Sequence, residues 1–332
     1  MRILPESALC FDDVLIVPQY SDIASRTTID ISTQIAGILM KVPIISANMD
    51  SVTEATMATA MHLAGGLGIL HRYMTQERMI EQIRTMSSPC IPSIGVQEED
   101  KKKVKAYLDN GIFAICIDVA HGDSKRSLKM VEWCKGQKLK VIAGNVCTSG
   151  ACRRMLASGA DIIKVGIGPG SLCTTRLVTG HGYPQFSAIM ECVQVVKGNA
   201  RIIADGGIRN SGDIVKALAA GADAVMIGNL FAGCLETPGT IKNGQKIYRG
   251  MASVSAQMNR DGRVHNFCPE GESMEVPVKG NVAEIMEELA GGIRSGLSYS
   301  GALSLTELHE GAVIVRVSSN CTRENGPHGK NS

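Results

Sequence analysis

Eight short apolar runs rich in β-branched residues recur along this chain at nearly even spacing, and that repetition limits the fold more than any other feature. They are VPIISA from Val42, LGILH from Leu67, IPSIGV from Ile91, FAICIDV from Phe113, KVIAG from Lys140, DIIKVG from Asp161, RIIADGG from Arg201 and DAVMIG from Asp223. Such continuous apolar character marks strands buried on both faces. Between the runs lie segments of helical period, among them TEATMATAMHLAGG, EDKKKVKAYLDNG, TSGACRRMLASGA and SGDIVKALAAGA, several opening at Ser, Thr or Asp and closing at Gly. The alternation predicts parallel βαβ units, and eight of them close a (β/α)8 TIM barrel, an α/β fold of typically about 250 residues. With 332 residues, 44% of them hydrophobic, the chain can form one such domain over 1–332. An open doubly wound sheet is the competing arrangement. Against it, no GxGxxG follows the first run, and polar residues stand at the run ends throughout.

A net charge of +2 from 34 basic and 32 acidic residues offers no broad field for nucleic acid or an anionic membrane. No segment reaches about 18 uncharged apolar residues. The expected partners are therefore small molecules, with neither nucleic acid nor membrane. Eleven cysteines are scattered through apolar runs and helical segments, as befits reduced thiols in a cytoplasmic protein. The absence of CxxC and HExxH speaks against structural zinc or a zinc hydrolase.

Two gaps exceed the regular spacing. The first holds GIGPGSLCTTR, residues 166–176, followed by the helix-like FSAIMECVQVVKG; the second runs from 234 to 280 through turn-rich sequence to a last helix beginning near Asn281. Loops this long are uncommon unless functional or disordered, and loops that follow barrel strands lie on the catalytic face. The glycines of GIGPGS let carbonyls converge on a monovalent cation or N–H groups on a phosphate; a plain tight turn is the alternative. Cys173 taken alone reads as a small buried hydrophobe. Its place in a loop after a strand, beside Thr174, Thr175 and Arg176, points instead to a nucleophile. Gly206, Gly207, Gly228 and Asn229, after the seventh and eighth runs, suit a phosphate held by backbone amides. Asp205 is either an acceptor for ribose hydroxyls or a helix cap. Asn48, His71, Arg72, Asp118, His121 and Asn145 are further polar strand ends, expected to gather into one site.

Over nearly its whole length the chain resembles the family shared by IMP dehydrogenase and GMP reductase. The resemblance is carried by FDDVLIVP, PIISANMDSVTE, DVAHGDS, GIGPGSLCTTR, IIADGGIRNSGDIVKALAAGADAVMIG, YRGM and GGIRSGLSYSGA. It implies a barrel, usually a homotetramer, in which the loop cysteine attacks C2 of a purine nucleotide and hydride passes between C2 and a nicotinamide. A dehydrogenase oxidises IMP with NAD and hydrolyses the adduct to XMP. A reductase expels ammonia from GMP and reduces the adduct with NADPH to IMP.

Three features lean toward the reductase. LGILHRYMTQERMIEQIRTMSSPCIPSIGV passes from the second run to the third without the CBS insert of typical dehydrogenases. TGHGYPQFSA, ANMD and HRY resemble reductase motifs. The flap segment, 251–280, reads RDGRVHNF, with Val264 after Arg263 where a dehydrogenase carries the Arg-Tyr pair that activates water. An IMP dehydrogenase lacking CBS modules, with His265 as substitute activator, is the alternative. The DVAHGDS and RENGPHG motifs look closer to dehydrogenases. A nucleotide-binding barrel with little catalysis and a flavin barrel are readings from other classes.

The resemblance further implies Cys173 as nucleophile, with Thr175 and Glu270 as its proton-transfer dyad. Ser171, Gly206, Gly207, Gly228, Asn229 and Tyr248 would hold the phosphate, Asp205 the ribose, and Met251 and Gly271 the base. Asp118, Asn145 and Arg72 would face the cofactor, NADPH. Carbonyls of Gly168, Gly170 and Cys173 would hold potassium. The polar tail, 320–332, would be disordered or reach a neighbouring subunit.

Overall fold

The computed structural model describes residues 7–261, 264 and 268–325. Eight parallel strands follow one another round a closed barrel: β1 Ile44–Ser46, β2 Leu67–Leu70, β3 Ile91–Ile94, β4 Ala114–Asp118, β5 Lys140–Val146, β6 Ile162–Val165, β7 Arg201–Asp205 and β8 Ala224–Ile227. The ring closes where Val225 of β8 pairs with Ile44 of β1. The helices packed outside are α1 Ala55–Leu63, α2 Gln76–Thr85, α3 Glu98–Leu108, α4 Lys125–Gly136, α5 Ser149–Ala157, α6 Gln185–Val196, α7 Ser211–Ala219 and α8 Val282–Tyr299. Several start where a short polar side chain satisfies an otherwise unpaired N–H. Thr75, Ser124, Thr148 and Asn210 accept from the backbone of Arg78, Ser127, Ala151 and Asp213, caps each worth about 1 kcal/mol. Between β2 and β3 the chain makes the single helix α2, with nothing inserted. Among the described residues no helix is long and apolar enough to cross a membrane.

Alternation along each strand divides the apolar residues between the barrel interior and the helix layer. Ile45, Leu67, Ile69, Ile91, Cys116, Ile142, Ile162, Ile203 and Met226 point inward and are buried together. A hairpin of Thr33–Ile35 and Ile38–Met40 runs directly into the start of β1 and adds Ile35, Ile38 and Met40 to that cluster, closing the N-terminal end. The C-terminal end is polar. There the register sets Asp118 beside Gly144 and Gly144 beside Lys164.

Two additions frame this mouth. Val14–Val17 pairs antiparallel with Val313–Arg316, tying the ends of the chain together. The stretch 234–280, turn-rich in sequence, contains an antiparallel hairpin, Gln245–Arg249 with Ser273–Pro277, and between its arms a helix, Val254–Asp261. No helix follows β8 directly. The chain instead makes a turn in which Phe231 and Ala232 donate to the Gly228 carbonyl.

Close packing of α1 on β2 depends on Gly68, where a Cβ would stand 2.5 Å from the Ala58 Cα. Backbone cannot yield there as a flexible side chain would. Gly68→Ala should cost about 1–3 kcal/mol by overpacking, measurable as a lower urea midpoint at unchanged m. A midpoint equal to wild type would contradict this contact.

Candidate active site

The loop after β6 and the hairpin after β8 are joined by main-chain hydrogen bonds. Thr174 N–H donates to the Glu270 carbonyl at 3.1 Å and Glu272 N–H to the Leu172 carbonyl at 3.0 Å, so Cys173 and Gly271 face each other as in an antiparallel pair. Within the loop, Cys173 N–H closes a turn on the Gly170 carbonyl at 3.0 Å. The pairing sets three side chains in line. The Cys173 thiol donates to Thr175 Oγ1 at 3.2 Å, and that hydroxyl donates to Glu270 Oε2 at 2.8 Å. A hydroxyl can pass a proton in either direction, and a carboxylate behind it can push or receive one.

Cys173 lies in a cleft of about 540 Å³ at the C-terminal mouth of the barrel. Ser171, Asp205, Gly206, Gly207, Gly228, Asn229, Tyr248, Met251, Thr175 and Glu270 line it, as do Gly168, Gly170, Asp118 and Asn145. Ser171 Oγ and Tyr248 Oη are 3.1 Å apart, and burial pushes the tyrosine hydroxyl's pKa upward despite that bond. Gly228 keeps the space beside them open: a Cβ would stand 2.9 Å from Tyr248 Oη and 3.0 Å from Met49 Sδ. Gly206 and Gly207 both have positive φ, 91° and 83°, turning the chain back over the mouth. Gly271 is not in the cleft wall; it serves the main-chain pairing behind Cys173.

The floor of the cleft is a buried ionic group whose centre, Lys164, is absent from the candidates read from sequence. Lys164 Nζ lies 2.6 Å from Asp205 Oδ2 and 3.1 Å from Asp118 Oδ1. The Asn145 amide donates to Asp205 Oδ2 at 2.9 Å and to the Gly166 carbonyl at 2.7 Å, and the Asn48 amide donates to Ser93 Oγ at 3.0 Å. Burial alone would lower the Lys164 pKa, but the two carboxylates outweigh it and hold the ammonium protonated well above the usual lysine range. Burial would likewise raise the Asp118 pKa. The charges of Lys164 and Arg72, with hydrogen bonds from Lys164 and Asn48, bring it below the ordinary value. Inward parity carried the signal: Ile162 and Lys164 share a face, so the lysine in DIIKVG must point into the barrel.

Some expected residues stand outside the cleft. Arg72 donates through Nε to the Asp118 main-chain oxygen at 3.0 Å and lies 4.4 Å from the Tyr73 ring centroid, so it buttresses the β4 end from behind. His71 is buried, its Nε2 3.2 Å from Glu54 and its Nδ1 accepting from Tyr73 N–H, and neither it nor His121 reaches the cleft. The Arg176 guanidinium is turned away from the thiol to the Tyr183 carbonyl at 2.7 Å, under Gly168 and Gly182. Arg263 and His265 fall outside the described residues, while Val264 is partly buried.

The family model described as IMP dehydrogenase / GMP reductase domain matches residues 8–328. The chain belongs to the IMP dehydrogenase / GMP reductase family. A GMP reductase of Klebsiella pneumoniae is 38% identical, covering 96% of this chain and 97% of its own length. An inosine-5'-monophosphate dehydrogenase of Borreliella burgdorferi is 36% identical, covering 98% of each. Among solved structures, a cysteine-to-alanine variant of GMP reductase from Trypanosoma brucei, in complex with guanosine 5'-monophosphate, superposes with a TM-score of 0.92 at 29% identity over 98% of both chains.

As a member of the IMP dehydrogenase / GMP reductase family, this protein is an oxidoreductase. Identity does not divide the two activities, and neither does the missing insert. The B. burgdorferi dehydrogenase aligns over 396 residues, so the family includes dehydrogenases not much longer than this chain.

Thiol environments differ sharply along the chain. Burial pushes Cys90, Cys116 and Cys134 up to about 12, whereas Cys173 is half-buried in an open cleft and Cys268 is exposed. At pH 8 the three buried thiols are protonated and inaccessible. Brief iodoacetamide treatment and peptide mapping should therefore find label on Cys173 and Cys268 and none on Cys90, Cys116 or Cys134. Label on Cys116 in the folded protein would contradict this barrel interior.

Proposed function

We propose that this protein is a GMP reductase, converting GMP to IMP and ammonia with NADPH. The observation that carries this reading is the thiol–hydroxyl–carboxylate line of Cys173, Thr175 and Glu270, delivered by a flap segment, 251–270, that contains no tyrosine. Dehydrogenation ends in hydrolysis and needs a base to activate water. Reductive deamination needs a proton for the departing amine, which this line can supply.

The GMP phosphate lies against Ser171, Gly207, Gly228, Asn229 and Tyr248, where two hydroxyls stand 3.1 Å apart beside the glycine turns. The ribose hydroxyls donate to Asp205, beside Gly206, and the base rests near Met251, with Gly271 holding the main chain behind it. Cys173, as thiolate, forms a bond to C2. Thr175, protonated through Glu270, hands a proton to the exocyclic nitrogen, the C2–N bond breaks, and ammonia leaves. The purine stays linked to sulfur until C2 is reduced, whereupon the C–S bond breaks, IMP departs and the thiolate returns. The structure of a relative with GMP bound supports the nucleotide assignment.

Cofactor and cation have candidate walls. β4 stands opposite β8 in an eight-strand ring, so Asp118 and the residues after it face the cleft from the side away from the phosphate turn. Asn145 Oδ1 is buried without a hydrogen-bond partner among the described residues, an acceptor suited to an amide. NADPH bound along Asp118 and Asn145 would supply hydride for C2. The Gly170 carbonyl spends one lone pair on Cys173 N–H and keeps another, so carbonyls of Gly168, Gly170 and Cys173 suit a monovalent cation, which we take to be potassium. Such an ion would stiffen the cysteine loop. Leu177 and Val178, exposed on the helix beginning at Thr175, suit burial in a homotetramer.

In potassium buffer, GMP with NADPH should lose nicotinamide absorbance and release ammonia. Reduced cofactor and XMP appearing from IMP with NAD would overturn the assignment in favour of a dehydrogenase. Cys173→Ala should abolish turnover yet leave GMP affinity largely intact by titration calorimetry; full activity would reject the covalent route. Glu270→Gln should slow ammonia release by about 10²–10⁴-fold. The stopped-flow burst of NADPH from IMP and NADP⁺, which reports the hydride step in reverse, should change far less. Equal losses would remove Glu270 from the proton path.

A further inference from the structure

Lys164 is 2% exposed and places one positive charge between two carboxylates from strands on either side of it. To reach Asp118 it must cross β5, and Gly144 makes room: a Cβ there would stand 2.6 Å from the Lys164 carbonyl oxygen and 2.7 Å from its Cβ. The ammonium sits closer to Asp205, at 2.6 Å, than to Asp118, at 3.1 Å. Asp205 Oδ2 also receives the Asn145 amide. Asp118 receives the Asn48 amide, so each carboxylate holds one amide besides the shared ammonium. Arg72, fixed on the Asp118 main-chain oxygen, adds a positive charge that no ligand in the cleft needs to move.

A cation shared by two acids follows whichever acid is less satisfied, and in a buried site that preference is only weakly screened. Sugar hydroxyls donating to Asp205 would replace part of what Lys164 supplies there and release the ammonium toward Asp118. The negative potential that Asp118 presents to the cofactor side would then fall. An oxidised nicotinamide ring carries a positive charge and would lose attraction, whereas the reduced ring is neutral and would lose little. We propose that Lys164 is a positioning residue that shares one charge between Asp205 and Asp118, so that a nucleotide on Asp205 weakens binding of the oxidised cofactor relative to the reduced one. The inference rests on the reading of Asp205 as nucleotide-facing and Asp118 as cofactor-facing.

The test uses the full chain carrying Cys173→Ala, which prevents adduct formation. NADP⁺ and NADPH are each titrated calorimetrically with and without saturating GMP. GMP should weaken NADP⁺ binding by at least about fivefold, the lower end of ordinary coupling between sites, while NADPH affinity moves by less than about twofold. Adding Lys164→Met should abolish the difference. Because that change leaves two acids facing each other, Lys164→Met with Asp118→Asn serves as the charge-balanced variant and should also show none. A GMP effect that survives either substitution overturns the proposal, as does equal treatment of both cofactors while Lys164 is present. The same titrations with IMP, NAD⁺ and NADH separate the two ideas. If only that set shows the Lys164-dependent difference, the reductase reading falls and the charge sharing stands.

Discussion

Everything at the mouth of this barrel depends on the antiparallel pairing of residues 172–174 with 270–272. Two main-chain hydrogen bonds, each worth only about 1 kcal/mol net, join the glycine-rich loop to the hairpin. They also decide chemistry, because the same register that sets Cys173 across from Gly271 brings the neighbouring Glu270 onto Thr175. The pairing is sound only if the hairpin itself is anchored. Lys246, buried at its root, donates to the carbonyls of Cys234, Leu235 and Thr237 and to Thr237 Oγ1, at 2.7 to 3.0 Å. Burial lowers its pKa, yet an ammonium there neutralises a ring of carbonyl dipoles that would otherwise repel one another. The proton line at the cleft thus traces back through the hairpin to one buried cation.

The floor beneath the cleft obeys a different economy of charge. Burying carboxylates and an ammonium sacrifices hydration worth several kcal/mol per ion, and their mutual attraction repays it only when the geometry is tight. Glycine at position 144 and asparagine at position 145 make it tight, the first by withholding a side chain and the second by donating a second hydrogen bond to Asp205 Oδ2. Such an arrangement contributes little net stability compared with an apolar layer. Its value lies in holding acceptors at fixed positions on the floor of the cleft, above the buried layer of Ile203, Ile142 and Met226.

How far the sequence disclosed this depends on the range of the interaction. The eight strands were legible because burial on both faces imposes an apolar run on each strand locally, and the helix caps because their signal spans three residues. Cys173 stood out through its loop position. Glu270 could be placed only by resemblance, since its partner Thr175 is 95 positions away and the pairing that unites them leaves no periodic trace. His71 and Arg72 show the opposite failure. Both stand at polar strand ends, as the site residues do, but Glu54 and the Asp118 carbonyl claim them first, and that competition is settled in three dimensions. Lys164 was legible in principle through strand parity, and an apolar run disguised it.

The two chemistries of this family differ in what meets the purine once it is bound to sulfur. Hydrolysis requires a water molecule and a base able to take its proton; hydride return requires that water be kept from that carbon. In the mechanism proposed above, the thiol, hydroxyl and carboxylate in line serve proton delivery to a departing amine. Nothing about chain length enters this distinction, since the insert lies between β2 and β3, remote in sequence from the cysteine loop and from the hairpin. On the reading proposed above, what separates the activities resides in the segment between the arms of the hairpin, where Val264 offers neither a proton acceptor nor a donor in its side chain. On that reading a valine there leaves the adduct with reduction as its remaining exit, and the charge we propose to be shared among Lys164, Asp118 and Asp205 would govern which form of the cofactor the loaded site prefers.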